Sequence, residues 1–254
     1  MTIRLERAGA VGHLLIDRQA KRNAFTQAMW TALPERIAEA EADPAIRVLL
    51  LRAAEPGAFS AGADIAEFGE GATDPEWRAR NQSAIATAQL RLARAAKPVV
   101  AAIEGDCVGG GCGLAIACDL RVAGPAARFG ITPAKLGLVY SLHDTKLLVD
   151  LVGPGQAKRI LFTGALLDAG EALRIGLVET IAEDATDAAL EWAETIAANS
   201  QFSVRHGKQV IRRILDGQAE DDAVTSGLFA AAFTAPDFAE GVAAFLARRK
   251  PDFA

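Results

Sequence analysis

The chain has 254 residues, a formal net charge of −5 at pH 7 and 51% hydrophobic residues. This length and apolar content predict a folded domain with a large core and argue against disorder. The acidic balance, with no long run of Lys or Arg, argues against a surface for nucleic acid or anionic membranes.

Targeting and redox features are plain in the sequence. No apolar stretch is long enough for a signal peptide or a membrane span, so we expect no membrane partner and a cytoplasmic location. The acidic charge balance leads us to expect no nucleic-acid partner. The three cysteines, Cys107, Cys112 and Cys118, lack the paired spacing of a zinc site. We interpret them as buried thiols in a reduced compartment, and we expect no metal site.

Strands and helices alternate over the first part of the chain. Two glycine-separated strands open it, and Thr26 is the predicted cap of the helix that follows. Because a proline disfavours helical geometry in the residue before it, Lys97-Pro98 marks the end of the second helix. The predicted elements are strands at 2–7 and 11–17, a helix from Gln27 to Asp43, a strand at 46–52, a loop at 55–64, a helix at 75–96 and a strand at 98–103.

The alternation continues to about residue 188, after which only helices are predicted, and it indicates an α/β fold. A break at Asn199-Ser200 divides a core of residues 1–198 from a helical C-terminal region of residues 199–254. The further predicted segments are a glycine-rich loop at 105–113, a short helix at 114–118, a strand at 119–123 and elements at 156–162, 169–175 and 177–181.

A segment of small residues, Ala58 to Ile65, follows a predicted buried strand. Small side chains let a ligand approach the backbone and leave amide N–H groups open. The same residues also fit a tight turn with a helix cap at Asp64, which is the simpler interpretation of this segment taken alone.

A second segment, Gly105 to Gly113, also follows a strand and enters a helix. Open amides at a helix N-terminus favour an anion. A dinucleotide fingerprint would need a glycine at Leu114, and a phosphate loop would need a lysine where Cys112 stands. The segment therefore predicts amides for something other than a nucleotide phosphate, or close packing of the helix on a strand.

Together the two segments resemble the enoyl-CoA hydratase/isomerase (crotonase) family. Ser60 to Asp64 matches that family's small-residue loop, and Ile103 to Cys112 matches its strand followed by Gly-Gly-Gly-Cys. Further matches run in order through the chain to Arg249-Lys250. The resemblance implies a spiral of strand–strand–helix (ββα) units with a C-terminal helical trimerisation region, giving a homotrimer or a dimer of trimers.

The resemblance also implies a substrate and a pair of backbone amides. In the family, one amide from each motif polarises the thioester carbonyl of acyl-CoA, and the matching residues here are Ala63 and Gly110. No tightly bound cofactor is expected, because coenzyme A is part of the substrate. The residues that the resemblance places near coenzyme A are Ala61, Asp64, Ile65, Lys21 or Arg22, and Lys250 from a neighbouring subunit.

The chain departs from the family at two positions. Family hydratases use two glutamates to position water and move protons, and the matching residues here are Gly113 and Pro133. Neither side chain is able to transfer a proton, and a general acid–base group contributes about 10²–10⁴ in rate. Hydration by the two-glutamate route is therefore not expected.

The segment Thr132 to Leu142 is similar to the methylmalonyl-CoA decarboxylase branch, whose shared tyrosine matches Tyr140. We transfer only Tyr140, because that branch has a histidine at the position of Ala63 and an acid at the position of Gly113. Decarboxylation needs no base, and a phenol with a pKa of about 10 stays protonated and can donate the last proton. The alternative is a half-buried aromatic residue whose hydroxyl holds a backbone group.

Two further candidates follow Tyr140 in the chain. Asp144 is the candidate base for an isomerisation or an atypical hydration, and His143 is the candidate water activator for a thioester hydrolase. The alternative for this stretch is a solvent-facing helix start with Asp144 near its cap.

The leading hypothesis is an acyl-CoA enzyme that stabilises a thioester enolate between the amides of Ala63 and Gly110 and carries out lyase, decarboxylase-like chemistry. An enoyl-CoA isomerase or atypical hydratase that uses Asp144 is the second hypothesis. The others are a non-catalytic acyl-CoA binding protein and a hydrolase that uses His143. Convergence of Tyr140, His143 and Asp144 beside the two amides would favour catalysis over binding.

Overall fold

Strands and helices alternate along most of this computed structural model, which describes residues 3–71 and 73–253. The strands are β1 (Ile3–Ala8), β2 (Val11–Ile16), β3 (Val48–Ala53), β4 (Val99–Ile103), β5 (Asp106–Val108), β6 (Leu120–Ala123), β7 (Arg128–Gly130), β8 (Leu167–Asp168) and β9 (Thr180–Ile181). The helices are α1 (Gln27–Ala42), α2 (Ile65–Gly71), α3 (Pro75–Ala93), α4 (Gly110–Ala117), α5 (Leu142–Thr163, interrupted at Gly153), α6 (Ala169–Arg174), α7 (Ala185–Ala198), α8 (Gln201–Leu215), α9 (Ala223–Ala232) and α10 (Pro236–Leu246).

Two sheets organise the core. The larger has the strand order β1-β2-β3-β4-β6-β9, with β1 antiparallel to β2 and the later neighbours parallel. The smaller has the order β5-β7-β8, with β5 parallel to β7 and β7 antiparallel to β8. The units β4-β5-α4 and β6-β7-α5 each add one strand to each sheet and then a helix, so the chain advances as a spiral of ββα units.

The larger sheet is buried on both faces, because its central strands are apolar on both sides. On β3, Leu49 and Leu51 belong to one core cluster, whereas Val48 and Leu50 belong to the cluster on the opposite face. This alternation is the period of two that a strand imposes. Helix α7 covers the second face with small side chains at every fourth position, which lets it lie close to the sheet: Ala185, Ala189, Ala193 and Ala197.

Most predicted boundaries agree with the structure. Helix α1 begins after Thr26, whose hydroxyl accepts a hydrogen bond from the Met29 amide, as the predicted cap requires. The predicted start of the short helix after the glycine-rich loop was wrong, because α4 begins at Gly110 and not at Leu114. Strands β5 and β7 were not predicted, since they have three residues each and depend on partners distant in the chain. The seven-residue helix α2 was not predicted either.

The C-terminal helices α8, α9 and α10 leave much apolar surface uncovered. Among the described residues 199–253, only Ala244 is buried, and Phe229 and Phe245 are 71% and 82% exposed. Apolar surface of this kind is typical of a contact with another chain. Within the described ranges, no single helix has the length and apolar composition to cross a membrane, and only α9 and α10 taken together, bent by 43°, pass that test.

A buried asparagine fastens the first loops of the fold together. Asn23 accepts a hydrogen bond from the Arg18 amide (2.9 Å) and donates one to the Ala58 carbonyl (2.8 Å). Its own carbonyl accepts from the Ser60 hydroxyl (2.8 Å). The residue has φ 55°, in the left-handed region that asparagine tolerates better than most side chains. Asn23 therefore holds the 58–60 segment against the loop that follows β2.

We expect Asn23→Ala to lower the free energy of unfolding by about 2–4 kcal/mol, because it removes two buried hydrogen bonds and places alanine at positive φ. Denaturant unfolding followed by circular dichroism measures this change. The matched control is Asn199→Ala, which alters an exposed asparagine at the end of α7 and should change stability by less than about 0.5 kcal/mol. Equal small effects in both variants would show that Asn23 does not hold the loops.

Candidate active site

The two small-residue segments lie side by side. The Ser60 amide donates a hydrogen bond to the Asp106 carbonyl, and the Val108 amide donates one to the Ser60 carbonyl, both at 2.9 Å. A parallel bridge between Ser60 and Cys107 results. The 58–64 loop therefore runs alongside β5 and ends next to the start of α4.

Gly62 is the residue that permits this approach. Its φ is 90°, and a Cβ atom built on it would lie 2.7 Å from the Val108 carbonyl oxygen and 3.0 Å from the Gly110 amide nitrogen. Any side chain at this position would force the loop away from α4. The position requires glycine for its conformation and for the space.

Two backbone amides at this contact lack acceptors. Within residues 3–71 and 73–253, neither the Ala63 amide nor the Gly110 amide donates a hydrogen bond to the protein. The flanking groups are paired, since the Phe25 amide donates to the Gly62 carbonyl (2.7 Å) and the Asp64 amide donates to the Phe25 carbonyl (2.9 Å). A Cβ atom built on Gly110 would lie 3.8 Å from the Ala63 nitrogen, so the two free amides are neighbours.

The surroundings of these amides favour a developing negative charge. Gly110 begins α4, so its amide lies at the positive end of the helix dipole. The ring of Trp30, which is 1% exposed, packs against Gly110 and keeps that side of the contact dry. Fixed donors away from water stabilise an oxyanion more than the same donors do in water.

The space beside Gly113 is filled by two other side chains. A Cβ atom built on Gly113 would overlap the Gln89 amide and lie 2.8 Å from the Tyr140 hydroxyl. Gln89 comes from α3 and is 1% exposed. Pro133 begins a short 3₁₀ turn, Pro133–Leu136. Tyr140 and Gln89 thus occupy the room that an acidic side chain at residue 113 would need.

The Tyr140 hydroxyl is buried and has no hydrogen-bond partner among the described residues. The alternative in which it holds a backbone group was therefore wrong. Burial raises the pKa of Tyr140 well above its usual value, and Asp144, Cys112 and Cys107 raise it further. The phenol stays protonated at neutral pH and has a free O–H to donate.

Asp144 is 3% exposed, which corrects the alternative of a solvent-facing helix start. Helix α5 does begin here, with Ser141 as its cap accepting from the Asp144 amide (3.0 Å), but its first turn packs against α3 and α4. The Ser141 hydroxyl donates to the carboxylate (2.8 Å), and the Gln89 amide, with its nitrogen facing the carboxylate, donates to both oxygens at 2.8 Å. Burial raises the pKa of Asp144, and these hydrogen bonds and His143 lower it.

His143 lies toward the C-terminal region. Its Nε2 atom is buried and has no hydrogen-bond partner in the described ranges. Burial lowers the pKa of His143, Asp144 raises it, and the cations Arg212, Arg94 and Lys146 lower it further. These cations belong to α8, the end of α3 and α5, and none of them lies in the small-residue segments.

The residues expected near coenzyme A fall on or beside the 58–64 loop. Ile65 is 59% exposed, and the Ala61 amide donates to the Arg22 carbonyl (2.9 Å). Asp64 caps α2 and forms an ion pair with Arg18 (2.7 Å), which lowers the pKa of Asp64. The cap that the sequence predicted is therefore present, and the Asp64 carboxylate is already engaged within the chain.

Arg22 is tethered to the second segment. Its guanidinium pairs with Asp106, which also pairs with Arg128 (2.7 Å). Lys21 is exposed beside it, and Lys250 is exposed beyond α10. The contact of Lys250 with a neighbouring subunit stays a prediction.

Sequence reasoning missed Gln89 and Asp106. A glutamine within a long polar helix resembles any surface residue, so nothing in the pattern of α3 indicates that Gln89 is buried. Asp106 does carry an indication, because it is the one acid in a segment of small and apolar residues.

The cysteines and the metal-ligating residues offer no second site. In the part of the chain that the structure describes, no group of three or more His, Cys, Asp or Glu side chains could hold a metal ion. The three cysteines are free and buried, as predicted, and burial raises the pKa of Cys118 to about 12. A buried, protonated thiol is a poor nucleophile.

Known proteins resemble this chain from end to end. A family model described as enoyl-CoA hydratase/isomerase matches residues 6–254. A crotonyl-CoA hydratase from Syntrophomonas wolfei is 33% identical over 253 residues (98% of this chain, 96% of the relative), and a short-chain-enoyl-CoA hydratase from Clostridium acetobutylicum is 34% identical over 250 residues (97% and 95%). The crystal structure of an enoyl-CoA hydratase/isomerase family protein from Hyphomonas neptunium gives a TM-score of 0.97 at 44% identity, covering 100% of this chain and 98% of that one. The predicted fold class is confirmed.

We expect Gly62→Ala to lower the free energy of unfolding by about 1–3 kcal/mol, because alanine is strained at positive φ and its Cβ would press on the Val108 carbonyl. Thermal unfolding followed by circular dichroism measures the effect. The matched control is Gly69→Ala on α2, where a Cβ atom has nothing within 4 Å. The control should be neutral or stabilising by up to about 1 kcal/mol, and a Gly62→Ala variant as stable as the parent would contradict the close contact.

Proposed function

This chain belongs to the enoyl-CoA hydratase/isomerase (crotonase) family of acyl-CoA enzymes, and we propose that it forms a thioester enolate and carries out decarboxylase-like lyase chemistry. One observation supports this most: the amides of Ala63 and Gly110 are unpaired at the start of α4, Gly113 in the same turn carries no acid, and the Tyr140 hydroxyl beside Gly113 has no partner among the described residues. Its substrate is an acyl-CoA thioester, and it needs no tightly bound cofactor.

The two amides supply the common step of the proposed reaction. When a bond to the α-carbon breaks, negative charge moves onto the thioester oxygen. Two fixed N–H donors bind that enolate oxygen more strongly than the neutral carbonyl, and this difference lowers the barrier. Losing one such donor typically costs about 10²–10³ in rate.

The absence of acids at residues 113 and 133 favours loss of carbon dioxide over hydration. Hydration requires a base to activate water and an acid to protonate the α-carbon. Decarboxylation takes its electron pair from the breaking C–C bond and requires no base. Relatives bear the name hydratase, and the proposed chemistry of this chain differs because Gly113 and Pro133 stand at the two acidic positions.

Tyr140 is the proposed partner of the reacting group. Its hydroxyl lies beside Gly113, in the first turn of the helix that carries the Gly110 amide. Being protonated and unpartnered, it can donate a hydrogen bond to the carboxylate that leaves, and afterwards to the enolate or to a water molecule beside it.

Asp144 supports a second candidate, an enoyl-CoA isomerase or an atypical hydratase. The observation that favours it is a carboxyl group that is buried and whose raised pKa suits proton exchange. A hydrolase that uses His143 has less support, because the cations around His143 belong to the C-terminal side. A non-catalytic binding protein has less support as well, since Tyr140 and Asp144 both border Gln89.

The proposal extends to assembly and location. The exposed apolar side chains of α8, α9 and α10 support a homotrimer or a dimer of trimers, in which these helices would be covered. Coenzyme A would then lie against Ala61, Asp64 and Ile65, with Arg22 and a neighbouring subunit's Lys250 near its phosphates. A cytoplasmic location is part of the same proposal.

We expect carboxylated thioesters to lose carbon dioxide when a panel of methylmalonyl-, malonyl-, crotonyl- and 3-enoyl-CoA is followed by mass spectrometry. In Tyr140→Phe the rate should fall by about 10²–10³, because the variant lacks the hydroxyl proposed to donate a hydrogen bond to the leaving carboxylate and then to the enolate. Phenylalanine keeps the ring, so thermal unfolding should show an intact fold.

Two outcomes would contradict this proposal. Fast hydration of crotonyl-CoA would show that another residue replaces the family's glutamates and would favour the second candidate. Binding of every thioester without turnover would favour the non-catalytic protein.

A further inference from the structure

We propose that Gln89 on α3 and Asp144 on α5 form the proton-holding pair of the acyl pocket, in which Asp144 exchanges the proton with the substrate's α-carbon and Gln89 is the positioning residue. The inference rests on the proposed function for one point, the location of the acyl group beside Gly113. It adds the residue that supplies the proton to the α-carbon, a role that the proposed function does not assign to the free amides or to Tyr140.

The pair is built from two helices that meet over a third. Gln89 and Asp144 are 1% and 3% exposed, and α3 and α5 contact each other and α4. The Gln89 amide nitrogen lies 2.8 Å from each carboxylate oxygen of Asp144, and the Ser141 hydroxyl lies 2.8 Å from one of them. The Gln89 amide also fills the space beside Gly113, where it neighbours the Tyr140 hydroxyl.

Gln89 can satisfy Asp144 in both of its protonation states. An ionised carboxylate accepts hydrogen bonds only, and the amide N–H groups of Gln89 supply them. A protonated carboxyl has an O–H to donate, and half a turn of the same amide presents a carbonyl oxygen to it. The Ser141 hydroxyl can likewise donate or accept. A group that gains and loses a proton in a buried place needs such partners, because an unmatched polar group there is costly.

Asp144 is the better proton source of the two buried acids. Burial raises the pKa of Asp144, but it raises the pKa of Tyr140 well above the ordinary value of a phenol, so the carboxyl group is the stronger acid. The charged and titratable groups around the pair are His143 on the same helix, Tyr140 before it, Cys112 and Cys107 beyond Tyr140, and the cations Arg94, Arg212 and Lys146 around His143.

Apart from water, the proposed step requires no reactant beyond the thioester and the Asp144 carboxyl group. After the C–C bond breaks and carbon dioxide leaves, its electron pair lies in the enolate. The O–H bond of Asp144 then breaks, its proton forms the new C–H bond at the α-carbon, and the thioester carbonyl is restored. The carboxylate left behind is stabilised by the Gln89 amide and the Ser141 hydroxyl. Water then returns a proton to it and releases hydroxide to the solvent.

The test measures the protonation of Asp144 without substrate and the pH profile of turnover with it. Infrared difference spectra of the free protein, with Asp144→Asn as the subtraction standard, give the pH at which the carboxyl titrates. Gln89→Leu should move that midpoint to higher pH, because it removes donors to the ionised form. Ser141→Ala should move it in the same direction, and it changes an exposed residue. The matched control is Gln82→Leu, an exposed glutamine on the same helix, which should leave the midpoint in place.

Turnover of the best thioester from the panel should depend on the protonation of the Asp144 carboxyl group. Asp144→Asn should lower kcat by about 10²–10⁴. Gln89→Leu should shift the pH profile of kcat upward with little change in KM, which a purely structural role would not produce.

The outcomes separate this inference from the proposed function. An unshifted midpoint in folded Gln89→Leu and Ser141→Ala overturns the pair, whatever the reaction is. A normal kcat in Asp144→Asn, together with a large loss in Tyr140→Phe, overturns Asp144 as proton source and leaves the decarboxylase proposal standing. If no thioester loses carbon dioxide, the proposed function fails, and the infrared midpoints still decide whether Gln89 controls Asp144.

Discussion

Contact between the peptide groups of residues 57–64 and those of residues 105–111 is the constraint on which the candidate site depends. A Cβ atom at Gly105 would lie 2.6 Å from the Gly57 carbonyl oxygen, and one at Gly111 would lie 2.6 Å from the Ser60 carbonyl oxygen. Side chains at these positions are therefore excluded. Because backbone meets backbone, the free amides are held by the fold itself and need no flexible side chain to aim them.

The same constraint decides which elements supply the side chains beside the free amides. The first turn of α4 contains only Gly110, Gly111, Cys112 and Gly113, so it has almost no side chains. The side chains proposed for proton transfer therefore come from other parts of the chain. Gln89 comes from α3, Asp144 from the first turn of α5, and Tyr140 from the residues just before α5. Burial next to α4 then shifts the pKa values of both acids upward, which is the usual consequence of removing water from a charged form.

The sequence predicts the backbone part of this arrangement well, because that part is encoded locally. The small-residue segments are contiguous, and α1 announces its start through Thr26. The positive φ of Asn23 could also have been predicted from the local sequence, since asparagine is favoured at such positions. The burial of Gln89 could not have been predicted in this way, because it depends on the packing of α5 against α3, a contact between residues distant in the chain. Strands β5 and β7 were not predicted for the same reason: they form by pairing with residues distant in the chain, and a local sequence pattern contains no information on such pairing.

Asp144 shows how a correct prediction of a helix start can accompany a wrong prediction of exposure. Helix α5 begins close to Asp144, as the alternative of a solvent-facing helix start predicted, with Ser141 as its cap, and an acid in the first turn of a helix is usually exposed. Here the first turn lies over α4, so the carboxyl group is buried, and burial raises its pKa. The two free amides lie in contiguous motifs, so the sequence alone was enough to select Ala63 and Gly110. The proposed reaction at those amides depends on Gln89, Tyr140 and Asp144, which come from two parts of the chain that are distant in sequence, so it must be argued from the structure of this chain.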